Sequence, residues 1–213
     1  MAVVKRMPQK AGRIRTERVK LILKAAEQEF ALHGYRGATV QRIADLANLP
    51  KPNVLYYFSN KQEIYDEVLN NILDLWNNKV NEFHPEDDPA ESLERYIRSK
   101  VEVSRKYPIA SRIFASEIIH GGQQLSPSVK TSTQQWIQNK VEIFQHWMDE
   151  GKMARIDPAH LIFMIWGSTQ HYADYEKQIC WVMMKKKKLP AAEYEKAADT
   201  ICDVVLRGCG LKV

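Results

Sequence analysis

Apolar residues recur at steps of three and four along nearly the whole chain, the period of one face of an α-helix, and no segment alternates long enough to predict a strand. From Thr16 to His33 the series Val19, Ile22, Leu23, Ala26 and Phe30 predicts a first helix, closed by Gly34 in the left-handed conformation that ends many helices. Thr39 suits the N-cap of a short second helix with Val40, Ile43, Ala44 and Ala47 on one face. Asn48 then tolerates a left-handed turn, and Leu49 plugs it. A third short helix runs through Val54 and Leu55 to about Tyr57, with Ile43, Val54 and Leu55 expected in the core. A long fourth helix, Lys61 to Phe83, turns Ile64, Val68, Ile72, Leu75 and Trp76 inward.

The segment around Pro85 and Pro89 predicts a loop, after which Leu93, Tyr96, Ile97, Val101 and Ser104 mark a fifth helix ending before Pro108. Ile109, Ile113, Phe114 and Ile118 make a sixth, stopped by Gly121 and Gly122. A seventh starts near Pro127, carries Trp136, Ile143, Phe144 and Trp147, and is capped at Gly151. Pro158 opens an eighth that runs to about Met183. Lys185 to Lys188, Leu189 and Pro190 read as a loop before a ninth helix, from Ala191 through Ala198, Ile201, Cys202 and Val205 toward Gly208. The fold class is therefore all-α, with nine helices.

Composition narrows the function. With 45% hydrophobic and 27% charged residues in 213, the chain suits a globular protein, and no apolar run approaches the ~18 residues of a membrane span. The basic start lacks the apolar stretch of a secretory signal, so a cytoplasmic protein without membrane partners is expected. Cys180, Cys202 and Cys209 form no C-x-x-C pair and read as core thiols. Charge is unevenly placed: residues 1–60 carry 11 Lys/Arg against 4 Asp/Glu, while residues 61–213 carry 20 against 22. That asymmetry suits a nucleic-acid reader joined to a larger, nearly neutral body. Three segments are expected: a basic, flexible arm over 1–15, a DNA-binding unit over 16–60, and a larger body over 61–213, which the family resemblance given below implies to be the ligand-binding and dimerisation domain.

Two short amphipathic helices joined by a tight turn, after a longer helix, fit the helix-turn-helix unit. In that unit the start of the second short helix enters the major groove, so Lys51, Pro52, Asn53, Tyr56 and Tyr57 are expected to face the duplex. Thr39 at a helix N-terminus suits a phosphate, with Gln41, Arg42 and Lys61 adding contacts. Thr39 to Ala47, Asn48-Leu49, and Leu55-Tyr56-Tyr57-Phe58 before Asn60-Lys61 resemble the N-terminal signature of TetR-family repressors. The resemblance implies an all-helical homodimer with a three-helix DNA-binding domain, a palindromic double-stranded operator, and a C-terminal domain that binds an effector and dimerises through its last two helices. Pro50 and Pro52 depart from the signature. Because proline disfavours the α region in the residue before it, Lys51 is expected as a cap and the recognition helix to start near Pro52.

Downstream, Tyr96-Ile97-Arg98, Lys100 to Arg105, Tyr107-Pro108, Ala110-Ser111-Arg112, His160 to Trp166 and Ser168 to Asp174 resemble the pyrimidine-utilisation repressors within that family. The resemblance implies a small effector such as uracil or thymine and no other cofactor. A flat, uncharged base needs aromatic walls and a side chain offering donor and acceptor together. Trp166, Gln170 and Asp174, spaced i, i+4 and i+8, share one stripe of the eighth helix, and Trp76 suits the opposing wall. The same polar residues also suit hydrogen bonds across a helix or dimer contact. His171 and Tyr172 point away from the stripe by about 100° and 200°.

Catalysis is disfavoured: the chain has no G-x-S-x-G, P-loop, dinucleotide fingerprint or H-E-x-x-H, and its six histidines do not fall at metal-ligand spacing. Two alternatives stand beside the pyrimidine reading. One is a TetR-type regulator of an unrelated small apolar or aromatic ligand. The other, more remote, is a non-specific DNA binder or an enzyme.

Overall fold

A computed structural model describes residues 9–79, 83–184 and 187–212, and among these every regular element is helical. The helices are α1 (Gln9–Gly37), α2 (Val40–Leu46), α3 (Lys51–Tyr57), α4 (Lys61–Lys79), α5 (Pro89–Lys106), α6 (Pro108–Ile119), α7 (Pro127–Asp149), α8 (Pro158–Asp174), α9 (Glu176–Ile179) and α10 (Ala191–Gly208), with a π-helical turn at Cys180–Met184 after α9.

Short polar residues followed by proline start three of the long helices. Asp88, Ser126 and Asp157 accept the N–H of Glu91, Val129 and His160, while Pro89, Pro127 and Pro158 fill a first-turn position whose N–H would have no intrahelical partner. The turn residues behave as their chemistry requires: Gly34 has φ 63°, and Asn48, at φ 53°, is the one non-glycine residue with positive φ among the described residues.

Four boundaries differ from expectation. α1 begins at Gln9 rather than Thr16, so residues 9–15 of the expected arm are helical, as their Ala, Lys, Arg and Gln content favours; residues 1–8 lie outside the described residues. α4 is helical to Lys79, and Phe83, where the fourth helix is expected to end, is not helical; residues 80–82 between them, and Lys185 and Lys186 of the basic loop, lie outside the described residues. α3 starts at Lys51 with Pro50 as its cap, because a proline in the second helical position sacrifices no bond: Asn53 N–H already donates to Pro50 O at 2.9 Å. The eighth helix stops at Asp174. Tyr175 turns to φ −114°, and Glu176 takes the backbone N–H of Leu189 at 3.2 Å, folding α9 back as a separate turn.

Two apolar cores result. One joins Ile22, Phe30, Ile43, Val54, Phe58, Ile64, Tyr65 and Ile72 to Ala110 and Ile113 of α6. The other gathers Leu93, Tyr96, Ile97, Phe144, Trp147, Ile165, Ile201 and Val205 from α5, α7, α8 and α10. The first core runs through the expected division at residues 60 and 61, so α4 and α6 share their interior with the helix-turn-helix. Leu55 leaves the core: at 40% exposed it lies about 100° round α3 from Val54, which fills the inner face. Trp181 is likewise exposed, whereas Trp147 is fully buried. The three cysteines are buried and free, and burial pushes the Cys202 and Cys209 thiols up to about 11.

Trp147 anchors the second core against Phe83 and Phe144, at ring distances of 5.9 and 5.4 Å, and donates its Nε1–H to Pro85 O at 2.9 Å. Trp147→Ala is expected to cost about 3–5 kcal/mol in urea denaturation at fixed protein concentration. A loss under 1 kcal/mol would contradict this packing.

Candidate nucleic-acid interface and interior ligand site

The start of α2 is fixed by a buried carboxylate. Glu29 of α1, 2% exposed, accepts the backbone N–H of Thr39 at 3.2 Å and the Nε–H of Arg42 at 2.6 Å, while Arg42 Nη2 also donates to Gly37 O. Thr39 Oγ1 accepts the Arg42 N–H at 3.2 Å and so caps the helix. Gln41 lies on the exposed side and donates to Asp45 at 2.9 Å. Lys61 is half-buried, giving hydrogen bonds to Tyr35 O and Ala38 O at 2.7 and 3.0 Å with its ammonium over the Tyr35 ring. At the start of α4, Asn60 Oδ1 accepts the Glu63 N–H and Glu63 takes that of Ser59, a reciprocal cap.

The residues expected at DNA thus divide by geometry. Lys51, Pro52, Asn53 and Tyr56 form one exposed surface on α3, with Tyr57 half-buried beside Tyr56. Thr39 and Gln41 are exposed on neighbouring α2, whereas Arg42 and Lys61 have bonds directed back into the protein that fasten α2 and α4 to the end of α1.

The second constellation lies inside the C-terminal body, and its centre is a residue that the expected set lacks. Lys100 of α5 is 6% exposed, and its Nζ lies 5.2 Å from the centre of the Trp76 ring and 5.8 Å from that of Trp166. It donates no hydrogen bond among the described residues; the faces of two indoles are its close partners. Trp166 is held by its Nε1–H bond to Tyr96 Oη at 2.6 Å and by Trp136 at 5.7 Å, and Trp76 by an edge contact with Phe114 at 4.7 Å. Lys100 therefore brings together Trp76 of α4 and Trp166 of α8.

Gln170 and Asp174 continue the α8 stripe, both half-buried. The Gln170 amide makes no hydrogen bond among the described residues, and Asp174 accepts Ser111 Oγ–H of α6 at 2.7 Å. Burial raises the Asp174 carboxyl above its ordinary range, against the Ser111 hydrogen bond and the charges of Arg112, His171 and Lys100. Burial also lowers the Lys100 ammonium to about 8, with Asp174 opposing. Thr169, by contrast, turns its hydroxyl onto Ile165 O at 2.8 Å, and His171 is exposed against Tyr175. An open cleft of about 450 Å³ between α5 and α10 lies elsewhere, lined by Glu94, Arg98 and Asp199, whose charges already pair with one another. No cluster that suits a metal ion occurs among the described residues.

A family model described as "Bacterial regulatory proteins, tetR family" matches residues 22–68, and one described as "YcdC-like protein, C-terminal region" matches residues 69–212. The chain belongs to the TetR family and is a DNA-binding transcriptional regulator of helix-turn-helix type. Within that family it is similar to the HTH-type transcriptional regulator RutR of Escherichia coli strain K12, with 42% identity over 170 residues, 80% of each chain. The fold is shared with the ketosteroid regulator KstR2 of Mycobacterium tuberculosis, at a TM-score of 0.71, 19% identity and full coverage of both chains. AibR, solved with isovaleryl coenzyme A and operator DNA, superposes at a TM-score of 0.67 and 19% identity, over 88% of this chain and 97% of AibR. These relatives are regulators rather than enzymes, and no helix among the described residues is long and apolar enough to cross a membrane.

The unfolded chain keeps the Lys100 proton to about pH 10.5, whereas the folded chain sheds it near 8, so burial of this charge penalises folding fully below pH 8 and less as pH rises toward 10.5. Lys100→Met is expected to gain on the order of 2 kcal/mol at pH 7, and the gain to shrink by pH 9.5 in urea denaturation. A gain of the same size at both pH values would show that the charge is not what is penalised.

Proposed function

We propose that this protein is a cytoplasmic, homodimeric repressor that holds a palindromic operator and is released from it by a pyrimidine base such as uracil or thymine. The observation that carries the effector reading is the Lys100 ammonium of α5 over the indole faces of Trp76 and Trp166, with the Gln170 amide and the Asp174 carboxylate continuing the Trp166 stripe of α8; neither the ammonium nor the amide makes a hydrogen bond among the described residues. A flat imide ring matches that set: its faces stack on indole, its carbonyl accepts from Lys100 or Gln170, and its N–H donates to Gln170 or Asp174. The likeness to RutR supports the same class of ligand.

On this reading Lys51 and Asn53 reach base edges, Thr39 and Gln41 meet phosphates, and Pro52, Tyr56 and Tyr57 pack along the groove. Arg42 and Lys61 serve chiefly by holding α2 and α4 in place. The two α3 helices of a dimer enter major grooves roughly 34 to 36 Å apart, or a multiple of that. Effector binding favours a different spacing. The link runs from Asp174 to Ser111 on α6, and from Glu117 on α6 to the Tyr65 hydroxyl of α4 at 3.0 Å; α4 is fastened at Lys61 to the end of α1.

Lys51→Ala with Asn53→Ala is expected to weaken operator binding at least tenfold and spare thymine affinity. Gln170→Leu is expected to leave operator binding intact and abolish release by uracil. Fluorescence anisotropy with operator duplex, with and without ligand, checks both. Unchanged operator affinity in the double variant would displace the DNA assignment, and normal release in Gln170→Leu, or binding of apolar ligands but no pyrimidine, would displace the effector assignment.

A further inference from the structure

The charge of Lys100 goes further than the pyrimidine reading on which it rests. A buried ammonium ordinarily ends on oxygen. Here the carboxylate that acts on it, Asp174, is bonded to Ser111, and Lys100 lies over the two indoles and makes no hydrogen bond among the described residues. From α6, Arg112 adds a second cation beside the same carboxylate and reaches Ala173 O at 3.4 Å. From α8, His171 stacks on Tyr175 at the exposed side, and from α4 the facing group is the uncharged Trp76. Lys100 and Arg112 thus stand against one carboxylate, which leaves the site with an excess of positive charge.

We propose that this site takes its imide ring as the anion, with the negative oxygen on the Lys100 ammonium and the ring face on Trp76 or Trp166. The ring N–H proton passes to solvent on binding, and the oxygen bearing the charge accepts from Nζ. A charge-assisted bond of this kind is roughly twice as strong as a neutral one, and it satisfies the ammonium at the same time. Ligand selection then follows ring acidity. Dihydrouracil, whose ring is less acidic and no longer flat, is the weakest, and more acidic rings of nearly the same size bind better than uracil.

The test is calorimetric titration of the full-length protein at pH 7 with dihydrouracil, uracil, 5-fluorouracil and 6-azauracil, the last three close in size and increasingly acidic. Affinity is expected to rise by roughly tenfold from uracil to 6-azauracil, and uracil binding to release a proton, read from the dependence of the heat on buffer ionisation enthalpy. In Lys100→Met, and in Lys100→Gln as a second replacement, the rise is expected to flatten. Equal affinities with no proton release in the wild-type protein would overturn the anion assignment while leaving the pyrimidine reading intact. Failure of every pyrimidine to bind would overturn both.

Discussion

Helix α6 is the element that the rest of the structure cannot move without. Ala110 and Ile113 on it fill the core shared with the helix-turn-helix, Ser111 donates to Asp174 of α8, and Glu117 takes the hydroxyl of Tyr65 on α4. Glu117, 5% exposed, also accepts the Gln124 N–H at 2.7 Å, so its carboxylate ties two helices and a turn together. A buried carboxylate with these partners is costly to separate from any of them. A change in the tilt of α8 therefore reaches α4 through directed bonds as well as through packing.

Buried polar residues fix how the helices meet. Glu29 fixes where α2 starts relative to α1, and Lys61, the first residue of α4, donates to Tyr35 O near the end of α1 and to Ala38 O just after it. The exposed surface of α3 proposed to meet DNA is thus positioned by bonds around the end of α1, and the helix's own short length contributes little. At the other end, Lys100, buried over the faces of Trp76 and Trp166, makes the interior between α4, α5 and α8 unlike an ordinary apolar core.

Much of this was legible in the sequence. Apolar periodicity, the pairs Asp88-Pro89, Ser126-Pro127 and Asp157-Pro158, and the turn residues Gly34 and Asn48 place most helices where the structure has them. The α8 break at Tyr175 was not, since no glycine or proline lies between Gly167 and Pro190 and tertiary bonds to Glu176 make the turn. Lys51 begins α3 because a proline in the first turn needs no hydrogen bond, which outweighs its steric effect on the residue before it. The deepest omission was of charge. Glu29, Lys100 and Glu117 each occupy the buried stripe of their helices, beside Ala26 and Phe30, Tyr96 and Ser104, and Ala110 and Ile113. A charged residue at an apolar position was the available signal for all three.

The central claim is that ring binding and operator binding are coupled through α6 and α4. The direct measurement is the coupling factor itself, from operator affinity with and without saturating uracil and uracil affinity with and without operator, in wild type and in Tyr65→Phe. Equal factors of tenfold or more in the two directions are predicted for wild type, falling several-fold in Tyr65→Phe while each ligand alone still binds. Full coupling in Tyr65→Phe would contradict the route, and no effect of uracil on operator affinity would contradict the coupling.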